Sequence, residues 1–215
     1  MKIIVTGSTG TVGSEVVRQA VADKDIEQVI LIARNPSETK HPKIREIIHK
    51  NFLDYNGLKS IFKEANACLW CLGISQASVT RDQYFVITYD YTVAAAKAML
   101  DANPSITFLF LSGQGADSTE KSRILFARVK GKTENALRAM NFRKLLIFRP
   151  GGINAVTKQK NTSPQKKFET ILVKAMKVVV PWAVVDTDVL AKAMLKSIKE
   201  NTGPVIIDHK TIRRL

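Results

Sequence analysis

Apolar residues along this chain fall into two alternating kinds of run. Short, unbroken ones cover Lys2 to Thr6, Gln28 to Ala33, Ala67 to Leu72, Ile106 to Leu111 and Lys144 to Arg149, and a weaker one runs from Ile44 to His49. A strand covered on both faces needs apolar side chains at nearly every position, so these runs predict parallel strands sandwiched between helices. Between them apolar positions recur at helical spacing, as at Val12, Val16, Val17, Ala20 and Val21 within Thr11 to Asp23. Helices are likewise predicted over Leu58 to Ala65, Asp82 to Ala102 and Ser122 to Met140. Asn103 and Pro104 stop the second of these, because a proline ring disfavours helical geometry in the residue before it. Apolar runs separated by helical patterns predict a Rossmann-like α/β fold, a doubly wound parallel sheet with helices on both faces. After Pro150, Gly151 and Gly152 the character changes. Asn154 to Lys167 reads as a polar loop, Phe168 to Lys177 and Asp186 to Lys199 as helices, and Val205 to Asp208 as a last short strand.

A length of 215 residues suits one hydrophobic core, so residues 1–215 are expected to form a single domain. Hydrophobic residues at 45% and charged ones at 24% exclude a disordered or fibrous chain. No apolar run approaches the ~18 residues of a membrane-spanning helix. Cys68 and Cys71 are too few to staple a secreted fold, and the residues after Met1 lack a signal-peptide layout, so a cytoplasmic protein is expected. The 33 basic against 19 acidic residues give a net charge of +14, a field that attracts anions. No block of five consecutive basic residues and no nucleic-acid-binding motif accompanies it, which leaves small anionic ligands favoured over nucleic acid.

The sharpest motif is Gly7, Ser8, Thr9, Gly10, Thr11, Val12 and Gly13, three glycines at G-x-x-G-x-x-G spacing between the first strand and the first helix. Gly7 permits a tight turn, Gly10 lets backbone N–H groups approach a diphosphate, and Gly13 lets the helix pack close to the strand. The helix N-terminus adds unpaired donors and a partial positive charge. A dinucleotide is therefore expected on this turn. At the end of the second strand stands Arg34, where sites for NAD carry an acidic residue. A guanidinium grips a 2′-phosphate and a carboxylate repels one, so NADP(H) is favoured over NAD(H).

Further short stretches sit at successive strand ends: Asn51-Phe-Leu-Asp54, Cys71-Leu-Gly73, Leu111-Ser112 with Gly115-Ala-Asp117, and Phe148-Arg-Pro-Gly151, while Val129-Lys-Gly131 lies in a helix. In this order the chain resembles the short-chain dehydrogenase/reductase superfamily. Within it, the chain is similar to the atypical branch of NAD(P)H-binding proteins that includes the Tat-interacting-protein-type oxidoreductases. The resemblance implies that Leu53 and Asp54 border the adenine and that Leu72 and Gly73 pass under the ribose and diphosphate. It places Lys130 on the nicotinamide ribose hydroxyls, and Arg149, Pro150 and Gly151 at the nicotinamide end. Residues 1–152 would then be the dinucleotide core and 153–215 a small part covering the nicotinamide.

Relatives that reduce carbonyls carry Tyr-x-x-x-Lys on this helix, the tyrosine giving a proton to the developing alkoxide. Here the stretch is Phe126-Ala-Arg-Val-Lys130, and no tyrosine follows Tyr91. Tyr55 and Lys59 match the bare spacing, but on an element before the fourth strand. Ser112 is the hydroxyl that remains where relatives polarise a carbonyl, with Gly113 and Gln114 after it. Two readings stay open: an NADP(H)-dependent oxidoreductase on a small carbonyl-type substrate without the usual proton donor, or an NADP(H)-binding regulator or redox sensor acting through a protein partner. Tyr84, Tyr89 and Tyr91, on the helix after the fourth strand, are read as packing residues, with a substitute proton donor as the alternative should one of them reach the crevice.

Cys68 and Cys71 have the spacing of redox and zinc motifs, but residues three apart on a strand face opposite ways and no second pair exists, so no metal is expected. His41, His49 and His209 are scattered and read as surface or loop residues. Lys158, Lys160, Lys166 and Lys167 read as a solvated loop or an anion-attracting lid.

Overall fold

The computed structural model describes residues 1–37, 39–156, 180–200 and 205–215. The predicted helix over 168–177, most of the polar loop before it and its lysines lie outside them. Seven parallel strands form one sheet: β1 (Lys2–Thr6), β2 (Gln28–Ala33), β3 (Ile44–Ile48), β4 (Ala67–Trp70), β5 (Thr107–Leu111), β6 (Lys144–Arg149) and β9 (Ile206–Asp208). Their spatial order is β3-β2-β1-β4-β5-β6-β9, so the sequence of strands reverses direction between β1 and β4. The register there pairs Ile3 with Ala67 and Thr6 with Trp70. Because all strands run the same way, every exit loop gathers on one edge.

The unbroken apolar runs are explained by which side each residue serves. Ile3, Val5, Val29, Leu31, Leu69 and Leu109 face one layer, which holds α1 (Thr11–Ala22) and α6 (Thr187–Lys199). Their neighbours Ile4, Ile30, Ile32, Cys68, Trp70, Phe108 and Phe110 face the other, which holds α2 (Lys59–Glu64), α4 (Tyr91–Ala102) and α5 (Leu125–Ala139). Each such side chain taken fully out of water contributes about 1.5–3 kcal/mol. No helix among the described residues is long and apolar enough to cross a membrane.

Three elements depart from the sequence expectation. The long helix predicted from Asp82 is α3 (Arg81–Phe85), a π-helical turn at Val86–Asp90, and then α4. Thr80 and Gln83 cap α3 reciprocally, each side-chain oxygen accepting from the other's backbone N–H. Asn103 ends α4 as expected, and its side chain also donates to Ala65 O at 2.8 Å, fastening α4 to the loop before β4. The helix predicted from Ser122 begins at Leu125, because the Asp117 carboxylate holds the N–H groups of Thr119, Lys121 and Ser122 in a turn. Beyond β6 a pair the pattern did not show appears, β7 (Gly152–Asn154) alongside β8 (Val184–Asp186). The chain then ends in α7 (His209–Ile212) directly after β9.

Candidate functional site

The turn between β1 and α1 is built around bare backbone. Gly7 adopts φ +66°, and a Cβ there would lie 2.6 Å from Cys71 O, in the exit of β4. A Cβ on Gly13 would lie 2.2 Å from Gly7 O, so α1 seats on the turn only as glycine. Gly10 N donates to Gly7 O at 2.9 Å, and Gly10 then stands at the N-cap of α1 with no side chain to bond the first-turn N–H groups. Beside it the Ser8 hydroxyl is buried and has no hydrogen-bond partner among the described residues. An uncapped helix start, glycines that a side chain would block, and an orphaned hydroxyl together fit an anionic group resting on this turn. Leu72 N donates to Thr6 Oγ1 at 3.3 Å, tying the exits of β1 and β4 together at the switch in strand order.

On one side of this turn a depression is lined by Arg34, Phe52, Leu72, Gly73, Ile74, Ile87 and Tyr91. Arg34, Leu72 and Gly73 are thus brought together. Leu53 and Asp54 are not. They line a separate groove against α4, Leu53 is 56% exposed, and the Asp54 carboxylate accepts from Asn56 N at 3.0 Å. Phe52 takes the inward place, within an aromatic cluster in which it lies 5.6 Å from Tyr91 and 6.4 Å from Trp70. The signal available in the sequence was that consecutive residues of Asn51-Phe-Leu-Asp54 cannot all face one way. Tyr91 is therefore at the crevice, whereas Tyr84 is buried and Tyr89 packs on Phe85.

The other end of the crevice is polar and tightly committed. Lys130 is buried, and its Nζ donates to Leu111 O at 2.8 Å above the Phe110 ring. Burial pushes its ammonium down to about 8, against the opposing pull of Glu134 and Cys71. Glu134, one helical turn further along α5, is wholly buried and was not singled out in the sequence. Its carboxylate accepts from the Ser112 hydroxyl and, as an ion pair, from both Nε and an Nη of Arg149. Ser112 and Arg149 are thus bonded to Glu134, with the Ser118 hydroxyl 3.3 Å from Arg149. Phe126 takes the place implied for the tyrosine. A Cβ on Gly113 would lie 2.6 Å from Phe126 Cζ, so the ring fills the space that a side chain at 113 would need. Phe126 N donates to Gln76 Oε1 at 3.0 Å, which anchors the start of α5 to the loop after β4.

Pro150 and Gly151 leave β6 at this same end. Gly151 N donates to His209 Nδ1 at 2.9 Å, and His209 is buried. The expectation of a surface or loop histidine is corrected here, since two backbone groups satisfy its ring. Cys68 and Cys71 pack against opposite layers, and burial raises both thiols, Cys71 to about 12.

A family model described as NAD(P)H-binding matches residues 7–178. Protein FMP52, mitochondrial, from Meyerozyma guilliermondii is 28% identical over 152 residues, which cover 70% of this chain and 64% of that protein. Leucinostatins biosynthesis cluster protein T from Purpureocillium lilacinum is 30% identical over 159 residues, 71% of this chain and 58% of its own length. The chain thus spans less than two thirds of these curated relatives. UDP-glucuronic acid 4-epimerase from Bacillus cereus, solved with NAD, superposes with a TM-score of 0.72 at 14% identity, covering 97% of this chain and 78% of that one. The Bordetella bronchiseptica enzyme WbmH, solved with NAD+, gives 0.72 at 12% identity, with 96% and 74% covered. At such identities the likeness is one of fold. The FMP52 relatives carry a mitochondrial designation, and this overturns the cytoplasmic expectation. A cysteine count speaks to redox conditions, not to address.

Proposed function

The chain belongs to this NAD(P)H-binding family, of the atypical short-chain dehydrogenase/reductase type, and from that premise we propose that it takes NADP(H) in preference to NAD(H). Arg34 carries the preference: it is exposed at the exit of β2, on a depression whose described lining residues include no acid. The diphosphate rests on residues 7–13, where the uncapped α1 and the Ser8 hydroxyl offer donors. Phe52 and Tyr91 wall the adenine side in place of Leu53 and Asp54. Lys130 meets the nicotinamide ribose, and of the part after residue 152 the described turn Pro181–Ala183 and His209 stand at the nicotinamide end, a placement supported by the Gly151 N–His209 Nδ1 bond and by the 2.5 Å that a Cβ on Gly151 would leave to Ala183 O.

Bound NADPH supplies hydride. At that end of the crevice stand Lys130 and, held by Glu134, Arg149, and the activity proposed is reduction of a small carbonyl-type acceptor. The interlocked Gly113 and Phe126 favour a second reading, a dinucleotide-binding regulator or redox sensor working through a protein partner. Neither residue has a hydroxyl, and that of Ser112 is bonded to Glu134. Losing a positioned proton donor typically forfeits ~10²- to 10⁴-fold in rate. The names of the FMP52 relatives support a mitochondrial location.

Calorimetric titration of NADPH and NADH against wild type and Arg34→Ala tests the cofactor reading common to both. Wild type should favour NADPH, and the variant should lose about tenfold or more toward NADPH, the worth of a charge-assisted contact, with little change toward NADH. Unchanged NADPH affinity in the variant, or a wild-type preference for NADH, contradicts it.

A further inference from the structure

His209 begins α7, yet its ring reaches two other segments of the chain. Gly151 N donates to Nδ1 at 2.9 Å, and Nε2 lies 2.8 Å from Trp182 O. A ring whose Nδ1 accepts carries its single proton on Nε2, so one neutral tautomer satisfies both contacts. Gly151 is closely confined. A side chain there would come within 2.5 Å of Ala183 O and 2.8 Å of Gln114 Oε1. Gln114 N in turn donates to Pro150 O at 2.7 Å. One imidazole therefore joins the exit of β6, braced by the loop after β5, to the turn Pro181–Ala183 that leads into β8.

We propose that His209 is a positioning residue for the rim of the crevice. It fixes Gly151 and the Pro181–Ala183 turn as one body at the end remote from Arg34, and coenzyme affinity depends on the acceptor at Nδ1. The dependence on coenzyme rests on the dinucleotide reading above; the bracing of the rim does not.

Three variants separate the two bonds. His209→Asn keeps an acceptor near Nδ1, His209→Gln keeps a donor near Nε2, and His209→Leu keeps neither. NADPH titration is one readout. The second is acrylamide quenching of Trp182 in the unliganded protein, readable because Trp182 is 65% exposed while Trp70, the other tryptophan, is fully buried. His209→Gln and His209→Leu should weaken NADPH binding about fivefold, with His209→Asn within about twofold of wild type. Trp182 should become more quenchable in His209→Asn and His209→Leu and stay as in wild type in His209→Gln. The proposal is overturned if His209→Asn binds as weakly as His209→Leu, or if neither readout distinguishes the variants from wild type. Should wild type itself fail to bind NADPH, the dinucleotide reading falls, and the quenching pattern alone upholds or refutes the bracing.

Discussion

Lys130 shows how much one side chain can be asked to carry. Its ammonium is buried, held on Leu111 O, and depressed to about 8 from an ordinary 10.5 because burial outweighs the attraction of Glu134. In the window between those values the unfolded chain still binds a proton that the folded chain has shed. Stability contributed at this site therefore rises with pH from about 8 to about 10.5, the reverse of the behaviour of a lysine that gains an ion pair. Urea unfolding of wild type against Lys130→Met should show wild type gaining relative stability across that window, by up to about 3 kcal/mol. A flat difference would mean that the ammonium is solvated. Glu134 was invisible to sequence reading for a related reason. In a helix also bearing Arg128, Lys132 and Arg138 it looks like one more solvated charge, and its partner Arg149 lies on a different element. Only its offset of four residues from Lys130 marked it.

At the scale of elements, α5 and the exit of β5 are keyed to each other by what is missing from both. Gly113 has no side chain, and Phe126 puts Cζ where one would begin. Gly113→Ala should cost about 1–3 kcal/mol, as overpacking does, and the cost should largely vanish in a Phe126→Leu background. Additive losses in that double-mutant cycle, measured by urea unfolding, would show that the ring moves aside freely. The same comparison explains which elements were legible. β1, β2, β4, β5 and β6 announced themselves because burial on both faces requires unbroken apolar runs, whereas β3, at the sheet edge, carries Arg45 and Glu46 and was the weaker signal. The pair β7 and β8 did not: each is three residues long, and the partners lie about thirty residues apart in sequence, joined by hydrogen bonds that no local pattern encodes. The π-helical turn at Val86–Asp90 escaped likewise, since an extra backbone residue leaves composition unchanged. The tight glycine turn could be read because its backbone demands are carried by residue type at fixed spacing. His209 could not, because its partners are backbone groups of Gly151 and Trp182.

For the whole molecule the question is whether a preference for NADPH belongs to Arg34 or to the net charge of +14. NADPH differs from NADH by a 2′-phosphate, about −1.5 to −2 charges near neutral pH, so a diffuse positive field alone would favour it. The two sources respond differently to salt. At about 0.01 M the screening length is ~30 Å and much of the protein's field reaches the ligand; at 0.15 M it is ~8 Å, and mainly adjacent groups act. Raising salt across that range should weaken both coenzymes, NADPH by the larger factor, while wild type keeps a residual preference for NADPH at 0.15 M. Arg34→Ala should show nearly the same slope with salt and little preference once 0.15 M is reached, because the remaining charge acts at a distance. Titrations of both coenzymes at four or so salt concentrations distinguish the cases. A wild-type preference that disappears at 0.15 M would assign discrimination to the field, and Arg34 would then be one surface cation among the 33 basic residues.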